Sequence, residues 1–433
     1  MKAKMLAYSS GALASALVYY AFSTYIQFYY VDILKLSPAL VALAMSLFGL
    51  WNAINDPLIG YFSDRTHTRY GRRIPYIVVG MFPLAVVYVL IWSPPVAIVE
   101  GTFLFAYFLT LILLFDLFYT MVILNWTSLY PEMYTSLDER TRVSGYRQIF
   151  GIIGLIIGIA LPPMIYGELG WQTMGISFAL IMIVFLSLSV WGSQERYVPQ
   201  KKEETLGIIA AYKLTLTNKS FLVYLIVNFL IQFTFISLTA AMPFYSKYVL
   251  GLTEMETSLM FLVIFLTAIP AIFVWQKVTT KIGARNAMFA TISIFAVSVL
   301  PFFLANTYLT ALITAAGAGI GLAGILLLVD ILLADVIDED TVHTGHRREG
   351  IYFGINGFMI RLGVSVQAII MGFVLTFSGY DADLVSQPDQ AILGIRVLVA
   401  VIPFISLILA LVALRFYPLY GKKLEAVKKQ LNL

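Results

Sequence analysis

The sequence predicts an all-α polytopic membrane protein whose twelve transmembrane helices form two pseudo-symmetric six-helix bundles. Three observations predict it: an apolar composition, a series of long apolar runs, and positive charge gathered on one side. Hydrophobic residues make up 60% of the 433 and charged residues 12%, about half the charged share of an ordinary soluble chain. A chain of this composition belongs largely in lipid.

The apolar runs set the elements. Helices 1 to 6 are expected at 5–34, 38–62, 73–93, 98–134, 144–167 and 171–192, and helices 7 to 12 at 219–249, 254–277, 285–305, 308–336, 349–378 and 390–416. Several exceed the roughly 20 residues that span a bilayer, so tilt or curvature is expected. The first run lacks a small-residue cleavage site and reads as a mature helix, not a signal peptide. Of the 28 Lys and Arg, 24 fall at the two ends or in loops 2–3, 4–5, 6–7, 8–9 and 10–11. Lys35, Lys247 and Arg396 fall on the other side, and Arg361 lies inside a helix. This bias places both termini in the cytoplasm.

The halves resemble each other. The stretch FYYVDILKLS from Phe28 to Ser37 is similar to FYSKYVLGLT from Phe244 to Thr253, at an offset of 216. The division expected is a bundle at 1–195, a cytoplasmic linker at 196–218 and a second bundle at 219–433. Twelve helices in two similar halves suit a transporter that handles its solute at the midplane.

The segment GYFSDRTHTRYGRR from Gly60 to Arg73 resembles the loop 2–3 signature of the major facilitator superfamily. The longer NAINDPLIGYFSDRTHTRYGRRIPY resembles the melibiose-permease-like branch, the glycoside–pentoside–hexuronide cation symporters. DVIDEDTVHTGHRREGIYFG, from Asp335 to Gly354, resembles that family's loop 10–11 signature, with Gly345, Arg347, Glu349 and Gly350 in place. The resemblance covers the whole chain, and eukaryotic lysolipid symporters form a related branch. Where the family commonly carries carboxylates this chain has Ala16, Asn52 and Ile123. The resemblance therefore does not by itself extend to melibiose-like recognition or strong sodium coupling.

Ionisable groups inside a membrane are costly, at roughly 2.5–3.5 kcal/mol on insertion scales, and mark function. Asp56 lies one turn after Asn52, so the two share a face and can bind a proton or a sodium ion. Arg361, deep in helix 11, needs a carboxylate, and either Asp56 or Asp116 of helix 4 can serve. Helix 1 carries Ser15, Tyr19, Ser23 and Gln27 at intervals of four, with Tyr20 adjacent. Such a polar stripe should face protein or a water-filled cavity. Asn228 and Gln232 form a smaller stripe on helix 7. The resemblance implies a sugar-stacking role for Trp126 beside Asn125, a sugar-binding role for Arg147, and a place near both sites for Arg361. Arg147 can donate to two hydroxyls or to a carboxylate. Asp64, Arg72 and Arg73 are expected to clamp helices 2 and 3. Asp335, Asp338, Glu339 and Asp340, with Arg347 and Glu349, are expected to complete a cytoplasmic gate by pairing across to those arginines.

These features point to a secondary transporter in the plasma membrane, working by alternating access. It is expected to move a sugar, glycoside or related small polar solute with H+ or Na+, and a lysolipid transporter on the same scaffold is the alternative. A lipid-embedded monomer, with no cofactor, structural metal or nucleic-acid partner, is expected. The absence of Cys excludes disulfides. Only His67, His343 and His346 are available, all in polar loops, which leaves no His-based catalytic site. No phosphate-binding loop signature for ATP appears.

Overall fold

A computed structural model describes residues 2–66, 68–95, 101–134, 136–195, 215, 217–345 and 349–431. Twelve helices among them are long and apolar enough to cross a membrane. They are α1 (Lys2–Ile33), α2 (Pro38–Arg65), α3 (Ile74–Ile91), α4 (Gly101–Met133), α5 (Leu137–Ala160), α6 (Pro162–Gly192), α7 (Lys219–Val249), α8 (Glu254–Ile282), α9 (Ala284–Phe303), α10 (Tyr308–Thr344), α11 (Glu349–Phe377) and α12 (Asp389–Arg415). A short α13 (Lys422–Gln430) follows. An even number of crossings returns the chain to the face on which it began. This is the terminal face, and the other is the opposite face.

The sequence repeat is a structural repeat. Tyr29–Ile33 and Tyr245–Val249, 216 residues apart, both close α1 and α7 with a π-helical turn. In each half the chain then reverses through a residue of positive φ, Lys35 in the first and Gly251 in the second, both at 62°. Ser37 and Thr253 next cap α2 and α8 by accepting from the backbone amides of Leu40 and Glu256, which satisfies donors that a helix start leaves open. Glycine takes positive φ without cost, whereas Lys35 does so against its side chain.

Several expected boundaries move. Helix 5 begins at Leu137, because Ser136 caps it and accidic Asp138 and Glu139 suit the first turn. It stops at Ala160, ahead of Pro162-Pro163. Residues 162–169 form a separate helical piece, divided from the rest of α6 by Gly170 at φ 82°. Helix 10 runs on past the expected 336 to Thr344, so Asp338, Glu339 and Asp340 join Asp335 in the helix and do not lie in a loop. Residues 196–214 of the expected linker lie outside the described residues, as does Arg347.

The halves meet most closely along α2 and α11. A Cβ on Gly49 would sit 1.9 Å from the Ser365 hydroxyl, and one on Gly372 2.5 Å from the Ala42 methyl. Small residues at helix contacts allow this approach in lipid.

Candidate functional site

Two sites emerge between the halves. The first is a polar cluster on α2, α4 and α11. Asp56 and Arg361 form an ion pair across the halves. Arg361 also donates to Asn52 Oδ1 at 3.0 Å. Asn52 Nδ2 in turn donates to Asp116 Oδ1 at 2.5 Å. Asn55 Nδ2 donates to Asp116 Oδ2 at 3.0 Å, and Thr120 Oγ1 donates to Asp56 Oδ1 at 2.8 Å. Helical spacing explains the gathering, since 52, 55 and 56 share one face of α2, and 116 and 120 share one face of α4. Asp56 is thus the carboxylate that Arg361 uses. Asp116, the other acid expected to serve Arg361, is instead engaged by two asparagines and belongs to this cluster. The cluster holds two carboxylates and one guanidinium, so with both acids ionised it carries one surplus negative charge.

The second site is a cavity of about 490 Å³, within the size range of small-molecule sites. Its polar wall comes from α1, α4 and α5, with Ser15, Tyr19, Tyr20, Tyr119, Trp126 and Arg147. Its apolar wall comes from α8 and α10, with Phe265, Ala268, Ile269, Ile272 and Leu326. Ser15 and Tyr119 share a hydrogen bond at 2.7 Å, and the Tyr119 ring lies 5.7 Å from that of Tyr19. Trp126 is no open stacking platform. Tyr8 stacks on it at 5.3 Å, the Arg147 guanidinium lies 4.6 Å from its centroid, and its indole N–H donates to Ser189.

Four expected residues join neither site. Ser23 is buried and donates back to the Tyr20 carbonyl, and Asn125 does the same to Met121. Asn228 donates to Asn356 at 2.7 Å, tying α7 to α11. Gln232 is half-buried and outside the cavity lining. A membrane helix often spends its polar residues on its own backbone or on a neighbour, and spacing alone does not separate these uses.

The terminal face also differs from expectation. Arg73 pairs with Asp64 at 3.1 Å, while Arg72 and Arg73 both engage Glu132 at 2.7 and 2.9 Å. Glu195 accepts from the backbone amides of Arg72 and Arg73. Asp335, however, does not reach the arginines. It pairs with Lys428 of α13 at 2.8 Å, as does Asp338, and Glu339 pairs with Lys423 at 2.5 Å. The nearby basic α13 supplies counter-charges from the same half. Glu349 opens α11.

Contacts across the halves instead gather at the opposite face, where the sequence reading missed them. Asp32 is 2% exposed. It accepts from Lys247 at 2.6 Å and from Tyr380 at 2.6 Å, and also from Tyr248. Gln27 donates to Gln367 at 2.7 Å and Phe28 meets Phe244 edge-on at 5.1 Å. The repeat held a signal, because Asp32 and Tyr248 are equivalent positions, 216 apart, and touch each other.

A twelve-helix bundle with a solute-sized cavity and a charge cluster between its halves has the architecture of a multi-pass membrane transporter. The chain belongs to the MFS/sugar transport protein family, whose pattern it matches over residues 7–421. It is 26% identical to an isoprimeverose transporter of Lactiplantibacillus pentosus, over 95% of this chain and 87% of that one. It is 25% identical to sodium-dependent lysophosphatidylcholine symporter 1 of Xenopus tropicalis, over 95% and 86%. The crystal structure of nucleoside transporter NupG superposes with a TM-score of 0.68 at 14% identity, covering 97% of this chain and all of that one. Its likeness extends to the fold. The resemblance to glycoside–pentoside–hexuronide symporters holds, and symporter relatives bring a coupling cation and a small-molecule substrate.

Proposed function

We propose that the chain imports or exports a glycoside or related polar solute across the plasma membrane by alternating access, with H+ or Na+ bound at Asp56 and Asp116. The observation that carries this reading is the Asp56–Arg361 pair, which joins the halves beside the surplus carboxylate of Asp116. A cation entering there changes the balance of the contact that links the halves, which is what coupling requires. Tyr19, Tyr20 and Arg147 hold the solute in the neighbouring cavity. The arginines and Asp64 form a rigid end of the first bundle (1–195), with 219–433 as the second and 196–218 as the join. The positive-charge bias supports a cytoplasmic terminal face. Exposed Leu50, Val79, Phe103 and Phe373 are the surface that meets lipid in this reading, and the proposed working unit is a monomer. The apolar α8 wall favours one second reading, a lysolipid substrate.

Uptake of labelled glycosides into proteoliposomes, under an imposed Na+ or pH gradient, tests the proposal. Accumulation that follows one gradient, and is lost in Asp56→Asn, supports it. Uptake indifferent to both gradients, or unchanged in Asp56→Asn, contradicts it.

A further inference from the structure

The outer surface of the second half carries a groove of about 630 Å³ between α8, α9 and α10. Leu266, Pro270, Val274 and Val278 of α8 form one side, with Ile294 of α9 and Ile320 of α10 on the other. Leu266, Val274, Ile294 and Ile320 are exposed, on helices that cross the membrane, so the groove opens to lipid. Its polar side groups are already spent. The Thr267 hydroxyl donates to the Val263 and Ile264 carbonyls, and the Trp275 indole N–H donates to the Ile320 carbonyl at 2.9 Å. The lining therefore offers no side-chain donor to a polar solute. Only one helix divides this groove from the solute cavity. Ala268 and Ile272 line the cavity, Ala271 and Trp275 line the groove, and all four pack with Ala323 in one small cluster.

The groove has a charged end. The stripe of Val274 and Val278 continues, three residues on in each case, to Lys277 and Lys281 in the last turns of α8 at the terminal face. Both lysines are exposed and meet no carboxylate among the described residues. Arg285 is engaged elsewhere, with the Arg415 carbonyl at 2.8 Å and the Tyr420 ring at 4.0 Å. An apolar trough at hydrocarbon depth that ends in unpaired ammonium groups at the interface matches a lipid with an anionic headgroup. A second copy of the chain fits less well, because 24 of the 28 Lys and Arg gather at the terminal face and would meet these lysines with like charge. We propose that the groove is a site for an anionic phospholipid, with an acyl chain lying over Trp275 and the phosphate on Lys277 and Lys281. This lipid is a partner of the transporter and not its cargo, and the site does not depend on which solute the cavity carries.

The test is quenching of tryptophan emission by lipids brominated on their acyl chains, with the full chain in nanodiscs. Phosphatidylglycerol and phosphatidylcholine are the two probes. The chain has six Trp, and the share due to Trp275 is the part lost in Trp275→Phe. That share is expected to titrate at about tenfold lower phosphatidylglycerol than phosphatidylcholine. Lys277→Gln with Lys281→Gln should erase the preference and keep the quenching by phosphatidylcholine, whereas Lys277→Arg with Lys281→Arg should retain the preference. Ala271→Phe, which fills the groove and leaves both lysines, should lower the quenching by both lipids. Equal titration by the two lipids overturns the proposal, as does a preference that survives the glutamine variant or quenching that Ala271→Phe leaves unchanged. Trp275 emission that neither lipid reaches, or quenching that falls when two copies share a disc, overturns it as well and assigns the groove to protein.

Discussion

The two faces of the molecule are knitted in different ways. On the opposite face the bonds run between the halves, with Asp32 of α1 holding Lys247, Tyr248 and Tyr380. On the terminal face the described ion pairs stay within a half: Arg72 and Arg73 with Asp64 and Glu132, and Lys423 and Lys428 with Glu339, Asp335 and Asp338. The difference teaches that the opposite face is latched, while each half is braced as a unit at the terminal face. Rigid halves that part at one face and close at the other are the elements of alternating access.

Breaking the contact between the faces should have the largest effect. Asp56→Asn leaves Arg361 without its countercharge and should lower cation-driven uptake by about 100-fold, measured in proteoliposomes. Releasing the latch comes next. The chain has no Cys, so a single Phe28→Cys, placed at a residue that is 5% exposed, reports opening directly. Adding Asp32→Asn should speed its reaction with a soluble maleimide by about 30-fold. Breaking a brace within one half should cost stability without moving the latch. Glu195→Gln weakens the bonds to the amides of Arg72 and Arg73 and should cost about 1–3 kcal/mol of thermal stability. Labelling at Phe28→Cys should stay unchanged. The smallest effect compares the repeats themselves. Lys35→Gly, which copies Gly251, should add about 1 kcal/mol by relieving positive φ. A loss of stability there would mean that the exposed Lys35–Asp383 pair at 3.8 Å outweighs the strain.

Much of the fold was legible because a lipid environment demands long apolar runs and one-sided positive charge. The 216-residue repeat even carried its local geometry, down to the π-turns and caps. The polar cluster was half legible. Asp56, Asn52, Asp116 and Arg361 stand out in apolar helices, but Asn55 and Thr120 look like ordinary helix hydroxyls and amides until their partners are known. The acids of α10 misled, because their counter-charges sit on α13, whose Leu424 and Val427, with Leu431 just past its end, mark an amphipathic helix that the apolar-run criterion passes over. Ser23, Asn125 and Asn228 show the reverse error, where polar groups bond locally or to one neighbouring helix. Side-chain direction decides these cases, and a one-dimensional pattern does not contain it.

The most direct test of alternating faces is spin-label distance measurement on two cysteine pairs in proteoliposomes. Ile33→Cys with Val385→Cys spans the halves at the opposite face, and Tyr70→Cys with His343→Cys spans them at the terminal face. Adding Asp32→Asn should lengthen the first distance and shorten the second. If the first lengthens while the second holds, or if neither moves, the halves do not exchange faces about the Asp56–Arg361 contact.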